Sequence, residues 1–193
     1  MRIVAGSARG RRLRVPPGRA VRPTADRVKE SIFSMLESRH RWEGVAVLDL
    51  FAGSGALGIE ALSRGAAAAV FVESDRTAAT AIRANLAAAR VEGEVLVAPA
   101  ARAIKTLAAA GRRFGGVFLD PPYHRGWVDP TLAALEESGL IEAGGWVVVE
   151  HGRDETPAVR GGTLAHRDTR RYGDTRVTIF GVPEAEERSD GGS

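Results

Sequence analysis

The sequence predicts an α/β fold: a seven-stranded mixed sheet with its final strand antiparallel, helices on both faces, and a small N-terminal hairpin and helix in front. Three observations lead to it. Strand-like and helix-like segments alternate from residue 45 to residue 150, as repeated β-α units of a parallel sheet do. A glycine-rich loop follows the first of those strands. Tyr172-Gly173-Asp174 then separates the last two strand-like segments and reads as a hairpin turn, so that pair runs antiparallel.

Residues 1–18 read as a short hairpin, with Arg2–Ala5 and Arg11–Val15 flanking the turn Gly6-Ser7-Ala8-Arg9-Gly10. Pro16-Pro17-Gly18 ends that pattern. Pro23 and Thr24 suit a helix start, and Val28, Ile32, Met35 and Leu36 share one face out to about Arg39. The core segments are expected as strand 45–50, helix 56–64, strand 69–73, helix 77–89, strand 94–97, helix 101–110, strand 116–120, helix 130–138 and strand 145–150. Strands 164–171 and 175–182 complete the seven. The acidic, then Gly- and Ser-rich stretch 183–193 is expected to be a disordered tail. Residues 1–40 thus form an N-terminal extension and 41–182 the main domain. A chain of 193 residues, 44% of them hydrophobic, can bury one such core.

There is no cysteine, which excludes a disulfide framework and a thiolate metal site. No apolar stretch approaches the roughly 20 residues of a membrane helix, so no membrane partner and a cytoplasmic location are expected. His40, His124, His151 and His166 are scattered without metal-ligand spacing, and no metal is expected. The formal charge is only +3, but Arg2, Arg9, Arg11, Arg12, Arg14, Arg19, Arg22, Arg27 and Lys29 crowd the first 30 residues against Asp26 and Glu30. Such a cluster is a candidate polyanion-binding surface.

The loop Asp49-Leu50-Phe51-Ala52-Gly53-Ser54-Gly55-Ala56-Leu57-Gly58 leaves the first core strand and opens a helix. Its glycines allow a tight turn and close approach of a ligand to the backbone. Glu73, with Ser74 after it, ends the next strand, where an acid can accept both hydroxyls of a ribose. Gly53, Gly55 and Gly58 satisfy a dinucleotide fingerprint. Asp49 speaks against a dinucleotide, because a carboxylate at the mouth of the loop repels pyrophosphate; it suits the cationic amino group and sulfonium of S-adenosylmethionine.

Phe118-Leu119-Asp120-Pro121-Pro122-Tyr123 closes the fourth core strand, so it faces the same carboxyl-end crevice as the glycine loop. An exocyclic amine on a nucleobase is a poor nucleophile because its lone pair is delocalised into the ring. Accepting its N–H groups on the Asp120 carboxylate and the Pro121 carbonyl would turn that lone pair towards a donor methyl. Pro121 and Pro122 stiffen the loop, and Tyr123 offers a ring on which an extruded base can stack. His124 adjoins it as a candidate substrate contact. Trp127, in the same loop, is read as local packing, and Glu60 as structural, bonded to backbone or to Arg64 at i+4.

The loop 49–55 together with Asp120-Pro121-Pro122-Tyr123 resembles the Rossmann-like, class I S-adenosylmethionine methyltransferases that modify adenine N6 or guanine N2. With Arg2-Ile3-Val4-Ala5-Gly6, the run Arg22 to Glu30 and the run Gly58 to Ala66, residues 1–182 resemble the bacterial 16S ribosomal RNA guanine-N2 methyltransferases of the RsmD family. That resemblance implies action on a guanine of 16S rRNA in the small ribosomal subunit, and a monomer is expected. It implies that Asp49, Phe51, Ala52, Gly53, Ser54, Gly55, Glu73 and Ser74 hold the donor, and that Asp120, Pro121, Pro122 and Tyr123 carry the chemistry. Arg9, Arg11, Arg12, Arg22, Thr24, Arg27 and His124 then fall on the substrate side. One departure is Val97-Ala98-Pro99-Ala100 after the third strand, where such enzymes carry an acid or amide for the adenine ring. An adenine-N6 methyltransferase on DNA or RNA, and a non-catalytic ribosome-assembly factor, are the alternative expectations.

Overall fold

A computed structural model describes residues 1–16, 25–38 and 40–184. Its elements are α1 (Ala25–Glu37), β1 (Ala46–Leu50), α2 (Ala56–Ser63), β2 (Ala68–Glu73), α3 (Arg76–Ala89), β3 (Glu94–Val97) and α4 (Ala100–Ala109). Then come β4 (Phe114–Leu119), α5 (Val128–Ser138), β5 (Ile141–Gly152), β6 (Ala165–Tyr172) and β7 (Thr175–Gly181). The expected helix start at Pro23 and Thr24, and the expected tail from 185 onward, lie outside the described residues.

The seven strands form one sheet in the order β3-β2-β1-β4-β5-β7-β6. β1 pairs in parallel with β2 on one side and β4 on the other, while β7 runs antiparallel between β5 and β6. The mixed sheet and the antiparallel final strand are as the sequence predicts. The chain reverses its winding direction at β1, so the crevice beyond the carboxyl ends of β1 and β4 is where ligands of such sheets bind.

Each face of the sheet has its own apolar layer. On one, Phe71, Val47, Phe118 and Trp146 meet α1, α2 and α3 through Phe33, Ile59 and Ile82; on the other, Leu48, Val70, Val117 and Val147 meet α4 and α5 through Ile104, Leu107 and Leu132. Gly58 shows how tightly the first layer closes. A Cβ there would lie 2.4 Å from the Phe71 ring, so only glycine lets α2 approach the sheet this closely.

The N-terminal arm is a short hairpin, as expected: the Ile3 N–H donates to the Arg11 carbonyl at 3.0 Å, Gly10 N–H to the Ile3 carbonyl at 2.8 Å and Leu13 N–H to the Met1 carbonyl at 3.1 Å. The antiparallel bridge of Arg2 with Arg12 lies between these bonds, and other backbone groups of the arm bond to side chains of the main domain. The Glu60 carboxylate accepts the N–H groups of Val4 at 2.9 Å and Ala5 at 3.0 Å. Ser63 Oγ accepts the Ala8 N–H at 2.9 Å and donates to the Ala5 carbonyl at 2.6 Å. Ile3, Ala8 and Leu13 enter the same apolar layer as α1 and α2. Gly6 presses so near α2 that a Cβ would sit 1.7 Å from the Ser63 carbonyl oxygen.

Glu60 is structural, as expected, and its reach is wider than the i+4 pair. Besides Arg64 Nε at 3.0 Å it holds Lys29 Nζ of α1 at 3.0 Å, with Lys29 and Glu60 side chains 3% and 0% exposed. Removing one member of a buried ion pair leaves an uncompensated charge, at a cost of about 3–5 kcal/mol. Glu60→Ala is therefore expected to lose ~3–5 kcal/mol of stability by urea unfolding; an unchanged unfolding midpoint would show that the arm and α1 are held without it.

Candidate active site

The two motifs singled out in the sequence lie side by side. Asp49 pairs in register with Phe118, and Leu50 with Leu119, so the loops leaving β1 and β4 start one strand spacing apart, about 4.8 Å. The Asp120 N–H reaches the Leu50 carbonyl at 3.5 Å.

The glycine loop is built around two buried carboxylates. Asp49 Oδ2 accepts the Gly58 N–H at 2.9 Å, satisfying one of the unpaired donors in the first turn of α2. Gly55 is the N-cap of that helix, with φ 76°. Glu73 Oε2 accepts the Gly53 N–H at 2.9 Å and Oε1 the Asp75 N–H at 3.0 Å, with Ser74 Oγ at 3.5 Å. Ala52 N–H bonds to the Val72 carbonyl at 3.0 Å. Phe51 holds a left-handed φ of 61°, a conformation that is uncommon without glycine and concentrates at ligand-binding loops.

After β4, Pro121 is buried, Pro122 exposed, and Asp120 and Tyr123 half-buried. The Tyr123 hydroxyl donates to Glu150 Oε1 at 2.7 Å and lies 3.0 Å from Thr175 Oγ1. Burial and the neighbouring Glu150 carboxylate push its pKa well above the ordinary value of 10.0, so the hydroxyl stays protonated and the ring keeps one orientation. His124 is exposed, with φ 56°. Its N–H donates to Glu155 Oε1 at 3.1 Å, while Glu155 Oε2 takes the Gly152 N–H at 2.8 Å. Glu155 thereby stitches the loop to the end of β5. Glu150, Thr175 and Glu155 escaped the sequence reading, since no local spacing ties residues 150–175 to residue 123.

Trp127 packs locally on Phe51 but stays half exposed. Its side chain is 51% exposed, tilted against Phe51 with ring centroids 6.4 Å apart. Val97, 42% exposed, ends β3 beside Glu73.

Of the proposed substrate contacts, Arg9, Arg12 and Arg27 are exposed. The Arg11 guanidinium instead bonds to the Ala88 carbonyl near the end of α3. Arg22 and Thr24 lie outside the described residues. Among those residues, no His, Asp or Glu cluster is arranged to hold a metal ion, and no helix is long and apolar enough to cross a membrane.

A family profile described as "Conserved hypothetical protein 95" matches residues 1–181. The ribosomal RNA small subunit methyltransferase D of Escherichia coli (strain K12) is 40% identical over 150 residues, 78% of this chain and 74% of that protein. The chain belongs to the small subunit methyltransferase D family. The Haemophilus influenzae protein of the same name is 37% identical over 158 residues, 80% of each chain. A hypothetical protein of Thermus thermophilus superposes with a TM-score of 0.81 at 34% identity, covering 96% of this chain and 99% of that one. The fold alone is shared with a ribosomal protein L11 methylase of Lactobacillus delbrueckii, 16% identical, with a TM-score of 0.69 over 89% of this chain and 86% of that one.

His151, next to this site on β5, is buried with Nε2 2.8 Å from Thr178 Oγ1 and Nδ1 3.0 Å from the Gly152 carbonyl. Burial, chiefly, lowers its pKa below the ordinary 6.5. The folded imidazole therefore stays neutral where the unfolded one takes up a proton, and its contribution, intact above about pH 6.5, is lost as the pH falls below that value. The drop in urea midpoint from about pH 7 to about pH 5.5 is expected to be smaller in His151→Gln than in the wild type; equal drops would mean that His151 titrates alike in both states.

Proposed function

We propose that this chain transfers a methyl group from S-adenosylmethionine to the exocyclic N2 amine of a guanine in 16S rRNA of the small ribosomal subunit. The observation that carries the reading is the convergence of the glycine loop and Asp120-Pro121-Pro122-Tyr123 at the β1–β4 crevice, in a family whose named members are small subunit rRNA methyltransferases.

The residues at the crevice fit the donor. The loop from Asp49 to Gly58 contains no cation, and the two carboxylates beside it, Asp49 and Glu73, are buried. A cationic ligand is favoured there and a pyrophosphate is not. Asp49 is assigned to the methionine end, the backbone of Phe51, Ala52, Gly53, Ser54 and Gly55 to the cradle, and Glu73 with Ser74 to the ribose. Val97 and the Phe51–Trp127 pair offer apolar surface at the same edge, in keeping with an adenine held by packing rather than by an acid after β3. When bound, S-adenosylmethionine supplies an electrophilic methyl group.

The protein's own part is to present the amine. Asp120 and the Pro121 carbonyl accept its two N–H groups and turn the nitrogen lone pair out of conjugation. The Tyr123 ring, fixed by Glu150 and Thr175, supports the base. Arg9, Arg12 and Arg27 are assigned to the RNA backbone, whose phosphates position the substrate without specifying sequence.

The deciding assay is methyl transfer to small subunits lacking the modification, followed by nucleoside digestion. N2-methylguanine is expected, with kcat reduced at least ~100-fold in Asp120→Ala; N6-methyladenine as the product, or no transfer, would overturn the assignment. Tyr123→Ala is expected to weaken substrate binding about 10-fold to 100-fold, because stacking contributes ~1–3 kcal/mol per base, whereas Tyr123→Phe keeps the ring and most of the affinity. Equal KM values for the two variants would show that the ring does not carry the base.

A further inference from the structure

Asn85 stands on α3 inside an otherwise apolar run, Ala84 to Ala89, where an amide has lower helix propensity than its neighbours. Its side chain is 1% exposed, and three hydrogen bonds occupy it. Oδ1 accepts the Arg14 N–H at 2.8 Å, and Nδ2 donates to the Arg14 carbonyl at 2.9 Å. The second Nδ2 proton goes to the Ser54 carbonyl at 2.8 Å. Both amide protons are thus used. The side chain pairs with Arg14 as a neighbouring strand would, and with the same group grips the glycine loop between Gly53 and Gly55. Ser54 Oγ also lies 3.7 Å from Met1 Sδ, a second contact between arm and loop.

We infer that Asn85 is a positioning residue that locks the arginine-bearing arm and the glycine loop into one register, so that RNA and methyl donor each tighten the binding of the other. The inference rests on the assignment of the arm to RNA and of the loop to the donor. Shifting either segment breaks hydrogen bonds to the buried Asn85 amide, which is costly to leave unpaired. A donor that orders the loop fixes the Ser54 carbonyl and, through Asn85, the backbone of Arg14, two residues after the exposed Arg12. Less ordering is then left for RNA to impose on the arm. Reciprocity requires RNA to tighten donor binding by the same factor.

The test measures binding of the full chain to small subunits lacking the modification, with and without S-adenosylhomocysteine. In the wild type the ligand is expected to tighten subunit binding at least ~5-fold. That ratio should fall to about 1 in Asn85→Leu, and in Asn85→Asp, which keeps the size but cannot donate to two carbonyls. Ser63→Ala loosens the arm elsewhere, so it should weaken subunit binding and keep the ratio. In the wild type alone, S-adenosylhomocysteine should also slow hydrogen exchange at the Arg14 amide. A wild-type ratio near 1, an unchanged ratio in folded Asn85 variants, or an Arg14 amide indifferent to the ligand would overturn the inference while leaving the methyltransferase reading in place. Failure of the wild type to bind either ligand would overturn both.

Discussion

Parallel pairing of β1 with β2 on one side and β4 on the other is the constraint on which the rest depends. Three strand ends are thereby set in adjacent rows, delivering Glu73, the glycine loop and Asp120 to one edge of the sheet. The chain reverses its winding at β1, so no crossing connection covers that edge. Everything distinctive about the site is then a matter of how two loops are held in conformations that their sequences do not favour alone. Phe51 and His124, one in each loop, both hold left-handed backbone, and both loops are tied down by carboxylates: Asp49 and Glu73 for the first, Glu155 for the second.

A second theme is the replacement of strand partners by side chains. The N-terminal arm is a short hairpin with few cross-strand bonds of its own. Glu60, Ser63 and Asn85 take up further groups of it, each buried and each bonded to arm backbone. This joins residues 1–16 to the same apolar layer as the helices flanking β1 and carries the exposed Arg9 and Arg12 on a docked hairpin. Arg11 shows the cost of that docking, since its guanidinium is turned back to α3.

The antiparallel β7 also bears on the site. Its insertion beside β5 pairs Gly152 with Thr175, which sets the Thr175 hydroxyl next to Tyr123 and completes, with Glu150, the pair of partners that fixes the ring. An all-parallel arrangement would place the start of a strand at the opposite edge of the sheet, away from Tyr123.

The sequence by itself determined the seven strands, their mixed sense, the glycine loop and the Asp120-Pro121-Pro122-Tyr123 run, because hydrophobic period, turn residues and motif spacing are local properties of the chain. It also marked Glu60 as structural through its i+4 partner Arg64. Tertiary structure alone decided the partners that come from far along the chain: Glu60 with Lys29, Asn85 with Arg14 and Ser54, Tyr123 with Glu150 and Thr175. It also decided that the hairpin docks on α2 and α3 through Glu60, Ser63 and Asn85, and that Trp127 lies half exposed against Phe51. These depend on which surfaces meet when the helices close on the sheet, and a buried polar group finds its partner by position in space, not by distance along the sequence.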